Sequence, residues 1–250
     1  MARRLTLEGA KVEAVVEIMP YPGGLMRNIV QCLHDFNIPL LLGYTVVNVC
    51  GKVRVSGVDI AQIGMDRKAL PGTKRHIECD SMLLSVGLIP ENELSLNCGI
   101  ILDSVTGGPI VDESMETSIE GIFAGGNVVH VHDLVDYVTE ESRKAGKSAA
   151  DYVNGKRKTV NIKIKAVGDS RIRYVVPQII NLNGENDDLE FFLRSRDVYV
   201  NTSLVVSMNG KQIKTIKIKR LVPGEMQHIR LKRKVLPVYD ANSTISISIL

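Results

Sequence analysis

The spacing of apolar residues changes near residue 158, and this change limits the possible folds more than any other feature of the chain. Residues 2–157 alternate between helical and strand patterns, whereas residues 158–250 follow a period of two without a helical pattern. The dipeptide Asn209-Gly210 is typical of a tight hairpin turn, and residues 222–225 (VPGE) form a second turn candidate. We therefore expect residues 158–250 to form an antiparallel β-sandwich or partial barrel of roughly six or seven strands.

The distribution of charge supports the same boundary, near Gly155 to Lys158. Residues 1–157 contain 15 Lys and Arg against 20 Asp and Glu, whereas residues 158–250 contain 16 against 8. In the basic C-terminal part, lysines alternate with isoleucines as on the solvent face of a strand, and few aromatic residues interleave them for base stacking. This pattern argues against nucleic-acid binding.

The N-terminal part has the pattern of a layered α/β domain. Residues 2–9 resemble the end of a helix that stops at Gly9, and Val12–Met19 is a mostly apolar strand of the kind that is buried on both faces. Further patterns follow in this order: a helix over residues 25–36, and strands over residues 38–49, 52–63 and 76–87. A βαβ half-unit followed by extra strands predicts a layered α/β arrangement.

The composition excludes several classes of protein. No apolar run approaches the roughly 20 residues of a membrane-spanning helix, and the N-terminus lacks the apolar core of a secretory signal. The cysteines are widely spaced and form no C-x-x-C pair: Cys32, Cys50, Cys79 and Cys98. We interpret them as reduced thiols of a cytoplasmic protein, rather than disulfides, metal ligands or catalytic thiols.

A strand that ends in glycines and leads to a helix is the first candidate for a binding site. Residues 117–127 (TSIEGIFAGGN) have the strand and the Gly-Gly turn, and a helical pattern runs from Asp133, a candidate N-cap, to Val153. Backbone amides at the positive end of a helix suit a phosphate or an electron-rich ring edge. Alone, this pattern is weak, because purely structural turns of this kind are commoner.

Two motifs in this chain resemble those of the pyridine nucleotide–disulfide oxidoreductases. Residues 117–127 are similar to the family pattern T-x-x-x-G-(I/V)-(F/Y)-A-x-G-D, with Asn127 where Asp is usual. Residues 78–94 (ECDSMLLSVGLIPENEL) are similar to a second family pattern, D-x-(I/V/L)-(I/L)-x-(A/S)-x-G-x-x-P-N, and stand about 40 residues upstream, in the family order. Two motifs in order are far more specific than either alone.

The resemblance implies where FAD would bind. In the family, the residue equivalent to Asn127 hydrogen-bonds the ribityl chain of FAD, and an Asn can still donate and accept there without a charge. It further implies that Gly125 and Gly126 lie at the flavin and that Asp133 lies near it, at the helix that follows.

The resemblance also implies a site for the nicotinamide nucleotide. Glu17, near the end of the second strand of that domain, would accept hydrogen bonds from the adenosine ribose, although an ordinary surface Glu at a strand end remains the alternative. Such a carboxylate would favour NADH over NADPH by repelling the 2′-phosphate. Gly87 and Leu88 would line the nicotinamide passage between the two nucleotide sites.

The resemblance implies three parts: a partial NAD(P)-binding domain over residues 1–98 without its first strand and glycine motif, a C-terminal segment of an FAD-binding domain over 99–157, and the β-domain over 158–250. The fold class is then α/β, partly Rossmann-like, followed by a small all-β domain. Met1 would correspond to an internal methionine of a longer flavoprotein.

The implied activity is hydride transfer between NAD(P)H and FAD, with electrons passing to or from a partner or second substrate. The stretch 127–138 points further to a bacterial FAD-dependent group linked to glycerol-3-phosphate or amino-acid dehydrogenases, and thus to a partner dehydrogenase subunit. The all-β C-terminal domain and the lack of C-x-x-C argue against disulfide-reductase activity. The alternative is an inactive chain that acts through its β-domain as a protein-interaction module.

Other polar residues give weaker signals. His130 and His132 stand two apart, but no third ligand is in view, so groups near the flavin or in a turn are favoured and no metal is predicted. Paired acidic residues in ETSIEG and TEESR suit a helix cap or a solvated face. No catalytic residue is predicted.

Overall fold

The computed structural model describes residues 1–156, 162–181, 188–237 and 240–250. The chain divides into two compact units, Met1–Val86 and Gly87–Leu250, which are described separately. The three-part division at residues 98 and 157 stays a prediction, and part of its second boundary lies outside the described residues. Among the helices of the described ranges, none is long and apolar enough to cross a membrane.

The first unit begins with a short helix and a parallel strand pair. Its first elements are α1 (Ala2–Leu7), β1 (Val15–Glu17), α2 (Met26–Cys32) and β2 (Leu40–Leu42). Strands β1 and β2 pair in parallel, with α2 between them in the chain, as the sequence predicts for a βαβ unit. Gly9 follows α1 with φ of +92°, a conformation that suits glycine and ends the helix.

Strand β1 is shorter and less buried than the sequence predicts. It covers three residues instead of the eight of Val12–Met19, and each of them is only half-buried. The prediction of a strand buried on both faces is wrong, because within the described residues β1 belongs to a sheet of only two strands. A strand needs neighbours and covering layers on both sides to be buried fully.

The rest of the first unit is an antiparallel meander. It consists of β3 (Tyr44–Cys50), β4 (Gly57–Gln62) and β5 (Arg75–Ile77), in the sheet order β3-β4-β5. The central strand β4 is buried over its first five residues, with Ile60 fully inaccessible. Asp59, on the same strand, is buried and accepts a hydrogen bond from Asn48 at 3.0 Å.

The second unit starts with loops and two helices, α3 (Glu93–Asn97) and α4 (Val135–Val153). An apolar cluster packs the loops of residues 111–129 against α4 and the β-domain: Val111, Met115, Val129, Ala145 and Val176.

Helix α4 begins two residues after its predicted start. Asp133 is not its N-cap as expected, because Leu134 occupies that position without a side-chain cap.

The C-terminal part is a β-sandwich, as predicted. Its strands are β6 (Lys163–Gly168), β7 (Ile172–Val176), β8 (Ile179–Asn181), β9 (Asp188–Ser195), β10 (Tyr199–Met208), β11 (Lys211–Leu221), β12 (Gln227–Lys232) and β13 (Thr244–Ile249). One sheet has the order β11-β10-β13-β6-β8 and the other β12-β9-β7. The hairpin at Asn209-Gly210 is confirmed, since both residues have positive φ.

Both sheets contribute to one apolar core, which includes the fully buried Phe191, Leu204 and Ile245. The expectation of purely antiparallel pairing is wrong at one place, where β13 pairs in parallel with β6. The described residues of this part form eight strands instead of the six or seven expected, and the start of the predicted β-domain, residues 158–161, lies outside the described residues.

Candidate functional site

The glycine turn at the end of residues 117–127 is packed directly onto α4. A 3₁₀ turn covers Gly126–Val128, and Gly126 is buried with φ of +78°. A Cβ atom on Gly125 would lie 3.1 Å from the Cα of Ser142, in the middle of α4. Glycine is therefore needed here because the turn and the helix backbone approach closely.

Asn127 is the exposed polar residue of this turn. Its Oδ1 accepts a hydrogen bond from the backbone N–H of His132 at 3.1 Å, and this bond assigns the orientation of the amide. The Nδ2 group of an exposed side chain fixed in this way can donate to a ligand hydroxyl. The donor chemistry of Asn127 thus fits the ribityl chain of a flavin.

Gly126 itself is not free to contact a ligand through its N–H. That group donates to Oε2 of Glu141, one turn and a half into α4, at 2.6 Å. Gly125 and Gly126 therefore shape the turn, whereas Asn127 is its residue with an exposed side chain.

Asp133 is engaged with the β-domain. Its Oδ1 forms a short ion pair with Arg194 on β9, and its Oδ2 accepts the backbone N–H of Met226 at 2.6 Å. Arg194 also donates to the carbonyl of Val131 at 3.1 Å. Asp133 therefore joins the start of α4 to the sandwich.

Glu141 is the centre of a buried polar cluster that sequence reasoning missed. Its carboxylate accepts hydrogen bonds from Nε2 of His130 and Nε2 of His132, each at 3.0 Å. Burial opposes ionisation of Glu141, but the bonds from the two histidines outweigh it and lower the pKa of the carboxyl to about 2. Burial lowers the pKa of His130, so its ring is neutral near pH 7.

A signal for Glu141 was present in the sequence. The apolar face of α4 includes Val138 and Ala145, and Glu141 lies three residues after the first and four before the second. A charged residue on the apolar face of an amphipathic helix needs a buried partner. His130 and His132 are those partners.

Asn92 joins the two motifs that carry the family resemblance. It is buried, and its Nδ2 donates to the carbonyl oxygens of Gly107 at 2.9 Å and Val128 at 2.8 Å. Its Oδ1 accepts a hydrogen bond from Ser95 at 2.8 Å. The second motif therefore supports the turn of the first, directly beside Asn127.

A groove of about 310 Å³ adjoins the same two motifs. The strand predicted over residues 117–124 is not formed, since only an isolated bridge joins Phe123 to Glu116. The lining of the groove includes Glu91 and Leu94, together with Phe123, Ala124 and Val128 from the segment before the turn and from the turn itself. The groove is mainly apolar with a few acidic groups at its border.

Glu17 lies at the carboxyl end of the parallel pair β1–β2, opposite Leu42. Its Oε1 accepts the backbone N–H of Met19 at 2.9 Å, and Oε2 lies 3.4 Å from the position of a Cβ on Gly23. One carboxylate oxygen is thereby oriented. Ligands of open α/β sheets bind at this end of the strands, and a carboxylate there can accept hydrogen bonds from the hydroxyls of a ribose.

Gly87 and Leu88 lie in an irregular segment at the start of the second unit. Gly87 has φ of +92°, and no other heavy atom lies within 4 Å of the position that a Cβ atom would take there. Leu88 is 68% exposed. The structure brings Gly125, Gly126 and Asn127 together in one turn but does not place Gly87 and Leu88 within it.

In the unit of β1, α2 and β2, strand β1 ends in an acidic residue, and a glycine turn with an exposed amide side chain lies against helix α4. The model of the family described as pyridine nucleotide-disulphide oxidoreductase matches residues 2–151, more than half of the chain, and the chain belongs to this family. The predicted family and its mixed α/β fold are confirmed. Proteins of this family are flavin-dependent oxidoreductases that bind FAD and NAD(P)H.

Thioredoxin reductases are among the relatives. The enzyme of Treponema pallidum (strain Nichols) is 29% identical over 128 residues, which are 50% of this chain and 38% of that protein. This chain therefore spans less than half the length of that relative. All four cysteines of the chain are free thiols.

Solved structures of thioredoxin reductases also match. The protein from Streptococcus pyogenes MGAS5005 is 22% identical with a TM-score of 0.34, over 60% of this chain and 48% of that chain. The protein from Giardia duodenalis is 17% identical with a TM-score of 0.36, over the same shares. At these TM-scores the family assignment depends on the sequence match.

Proposed function

We propose that this chain is the nucleotide-handling part of an oxidoreductase that transfers hydride between NAD(P)H and FAD and exchanges electrons with a partner or second substrate. The observation that carries the proposal is the bond from Asn92 to the carbonyl of Val128. It joins the two family motifs and fixes the turn that presents Asn127. FAD, when bound, supplies the hydride chemistry, and the chain supplies position.

Asn127 is the residue that we assign to the flavin. Its Nδ2 would donate to a ribityl hydroxyl, while the bond from the His132 N–H keeps the amide in the required orientation. Gly125 and Gly126 allow the turn to lie against α4. Asp133 would act indirectly. Its contacts with Arg194 and Met226 fix the position of the start of helix α4.

Glu17 is the residue that we assign to the adenosine ribose of the nicotinamide nucleotide. A carboxylate at the end of β1 accepts hydrogen bonds from the ribose hydroxyls and repels a 2′-phosphate, so NADH is favoured over NADPH. Gly87 and Leu88 are assigned to the nicotinamide passage. The electron partner would be a dehydrogenase subunit, of the glycerol-3-phosphate or amino-acid type.

One observation favours a second function, a protein-interaction module. Strand β11 forms the outer edge of the five-stranded sheet, and Lys211, Lys217 and Lys219 are exposed along it. Lysines on an edge strand prevent unwanted pairing, and they also suit an acidic partner surface. In this reading the β-domain docks to a partner and the chain binds no cofactor.

Titration of FAD into the full chain, followed by flavin fluorescence, tests the first function. We expect saturable quenching, weakened about fivefold in Asn127→Ala, because one net hydrogen bond contributes about 1 kcal/mol. Asn28→Ala, an exposed asparagine of the first unit, is the matched control and should bind like the wild-type chain. Absence of quenching in the wild-type chain would contradict the proposal and leave the interaction module.

A further inference from the structure

We propose that His130, His132 and Glu141 bind a divalent transition metal of the zinc type in the second unit. The site would consist of two imidazoles and one carboxylate, a ligand set that suits Zn²⁺, Co²⁺ and Fe²⁺ better than Mg²⁺ or Ca²⁺. The family match and the proposed hydride transfer do not require it. The inference stands on the geometry of these three side chains.

The three ligands already stand at nearly the separations that a metal needs. Their candidate ligand atoms all lie within 4.8 Å of one another, and each Nε2 is 3.0 Å from a carboxylate oxygen of Glu141. Tetrahedral zinc with bonds of about 2.0–2.1 Å separates its ligand atoms by roughly 3.3 Å. The two distances from Nε2 to the carboxylate therefore differ from this separation by a few tenths of an ångström.

The local fold explains why these residues meet. His130 and His132 flank one residue of the loop between the glycine turn and α4, and their ring centroids are 4.2 Å apart. Glu141 reaches the same point from the second turn of α4. The third ligand comes from a helix eleven residues after His130, which is why the His-x-His spacing alone does not reveal it.

Burial makes the cluster an unusual arrangement for purely structural polar residues. The side chains of His130, His132 and Glu141 are 1%, 0% and 3% exposed. Both Nδ1 atoms are buried and have no hydrogen-bond partner within the described ranges. An ion bound to both Nε2 atoms would leave these Nδ1 atoms without a partner, and this lowers the metal affinity that we expect.

The aromatic rings around His130 affect the metal affinity that we expect. The rings of Phe192 and Tyr174 lie against His130, at centroid distances of 5.6 and 5.9 Å. Metal-bound histidines usually donate their other N–H to a carboxylate or carbonyl, and aromatic faces accept such bonds only weakly. We therefore expect weaker binding than in structural zinc sites.

Space for a further ligand exists on the Glu141 side. A cavity of about 10 Å³ is bordered by Glu141 and Phe192 together with Lys144 and Glu190. This volume is at the lower limit for one water molecule. The cavity borders Glu141 but neither histidine, so a water there would contact the carboxylate side of the site.

Another cluster of the described residues competes for the same metals. Cys50, Asp59 and His76 also place ligand atoms within 4.8 Å of one another, in the first unit. Asp59 is there already paired with Lys74 at 2.8 Å and with His76 at 2.8 Å. The test must therefore tell the two clusters apart.

The experiment is a Co²⁺ titration of the full chain after treatment with a chelator and without flavin. We expect one Co²⁺ per chain, with visible d–d absorption that Zn²⁺ abolishes by competition. Saturation at about a hundredfold above the dissociation constant should raise Tm by roughly 5 °C or more. Because no flavin is present, failure here leaves the proposed function untouched.

Variants assign the ion to its ligands. Glu141→Gln keeps the size and a hydrogen-bond acceptor for Gly126, and it should weaken Co²⁺ binding at least tenfold. His76→Asn should leave the binding unchanged. Circular dichroism checks that both variants are folded, and histidine ¹⁵N spectra of the wild-type chain locate the ion without any substitution, through shifts of the His130 and His132 nitrogens on addition of Zn²⁺.

Three results would overturn the inference. The first is no saturable Co²⁺ binding by the wild-type chain. The second is thiolate charge-transfer absorption with loss of binding in His76→Asn, which would assign the ion to the cluster of Cys50. The third is equal affinity of Glu141→Gln and the wild-type chain.

Discussion

Glu113 shows how one buried residue makes stability depend on pH. Its side chain accepts the backbone N–H of Asn181 at 2.8 Å and pairs with Arg233 at 3.1 Å, yet burial raises the pKa of Glu113 to about 7. The neighbouring Asp112 adds to the increase, and Arg233 opposes it without cancelling it. The folded chain therefore holds a proton that the unfolded chain releases near pH 4.5.

The raised pKa of Glu113 decides whether stability rises or falls with pH. Because the pKa of Glu113 is higher in the folded chain, protonation of this side chain stabilises the fold fully at pH values below about 4.5. This contribution is lost as the pH rises through about 7. We expect the free energy of unfolding of the wild-type chain to fall by up to about 3 kcal/mol over this window, relative to Glu113→Gln. Urea denaturation at several pH values measures the difference, and parallel profiles of the two chains would contradict it.

Glu17 carries a prediction about nucleotide preference. Replacing it with Gln keeps an acceptor for the Met19 N–H and removes the negative charge. The preference of the chain for NADH over NADPH should fall about fivefold, since one charge repulsion of about 1 kcal/mol is lost. Dissociation constants of both nucleotides from fluorescence titration give the ratio. An unchanged ratio would return Glu17 to the role of a surface residue.

At the scale of elements, Arg194 and Asp133 join strand β9 to the start of helix α4. Both side chains are largely buried, with 12% and 15% of their surface exposed. Arg194→Met should destabilise the chain by about 3 kcal/mol, because it leaves the carboxylate of Asp133 buried without its cation. The double variant with Asp133→Asn should recover more than half of this loss. Chemical denaturation of the four chains measures the coupling, and additive losses would contradict the pairing.

The sequence predicts some elements well and others poorly, for physical reasons. Helix α4 and strands β9 to β13 have long, regular patterns, which local spacing alone specifies. Strands β7 and β8 were missed because Pro177 interrupts their apolar run, and proline weakens a strand assignment. The parallel pairing of β13 with β6 depends on where distant strands meet, which no local pattern reveals.

At the scale of the whole molecule, the candidate site depends on contacts between distant parts of the chain. The motif around residues 117–127 identified Gly125, Gly126 and Asn127 from the sequence. Their support came from Asn92 and Glu141, which reach the turn over 36 and 15 positions of the chain. Such partners are set by the tertiary fold, so the turn can be predicted from local sequence whereas its supporting residues cannot.

The core of the sandwich is expected to dominate the stability of the second unit. Phe191, on β9, is fully buried between the two sheets. Phe191→Ala should lower the free energy of unfolding by about 3–5 kcal/mol, through lost burial and the cavity that remains. Urea denaturation followed by circular dichroism measures this loss. A loss below about 1 kcal/mol would show that the two sheets do not share the described core.

We propose that the turn of residues 125–127 is the flavin contact of this chain. Hydrogen–deuterium exchange of the full chain, with and without FAD, tests it most directly, because it locates protection along the sequence. We predict that FAD slows exchange in peptides that cover residues 123–130, with little change in the strands β10 and β11. Protection confined to other peptides, or none at saturating FAD, would contradict the claim.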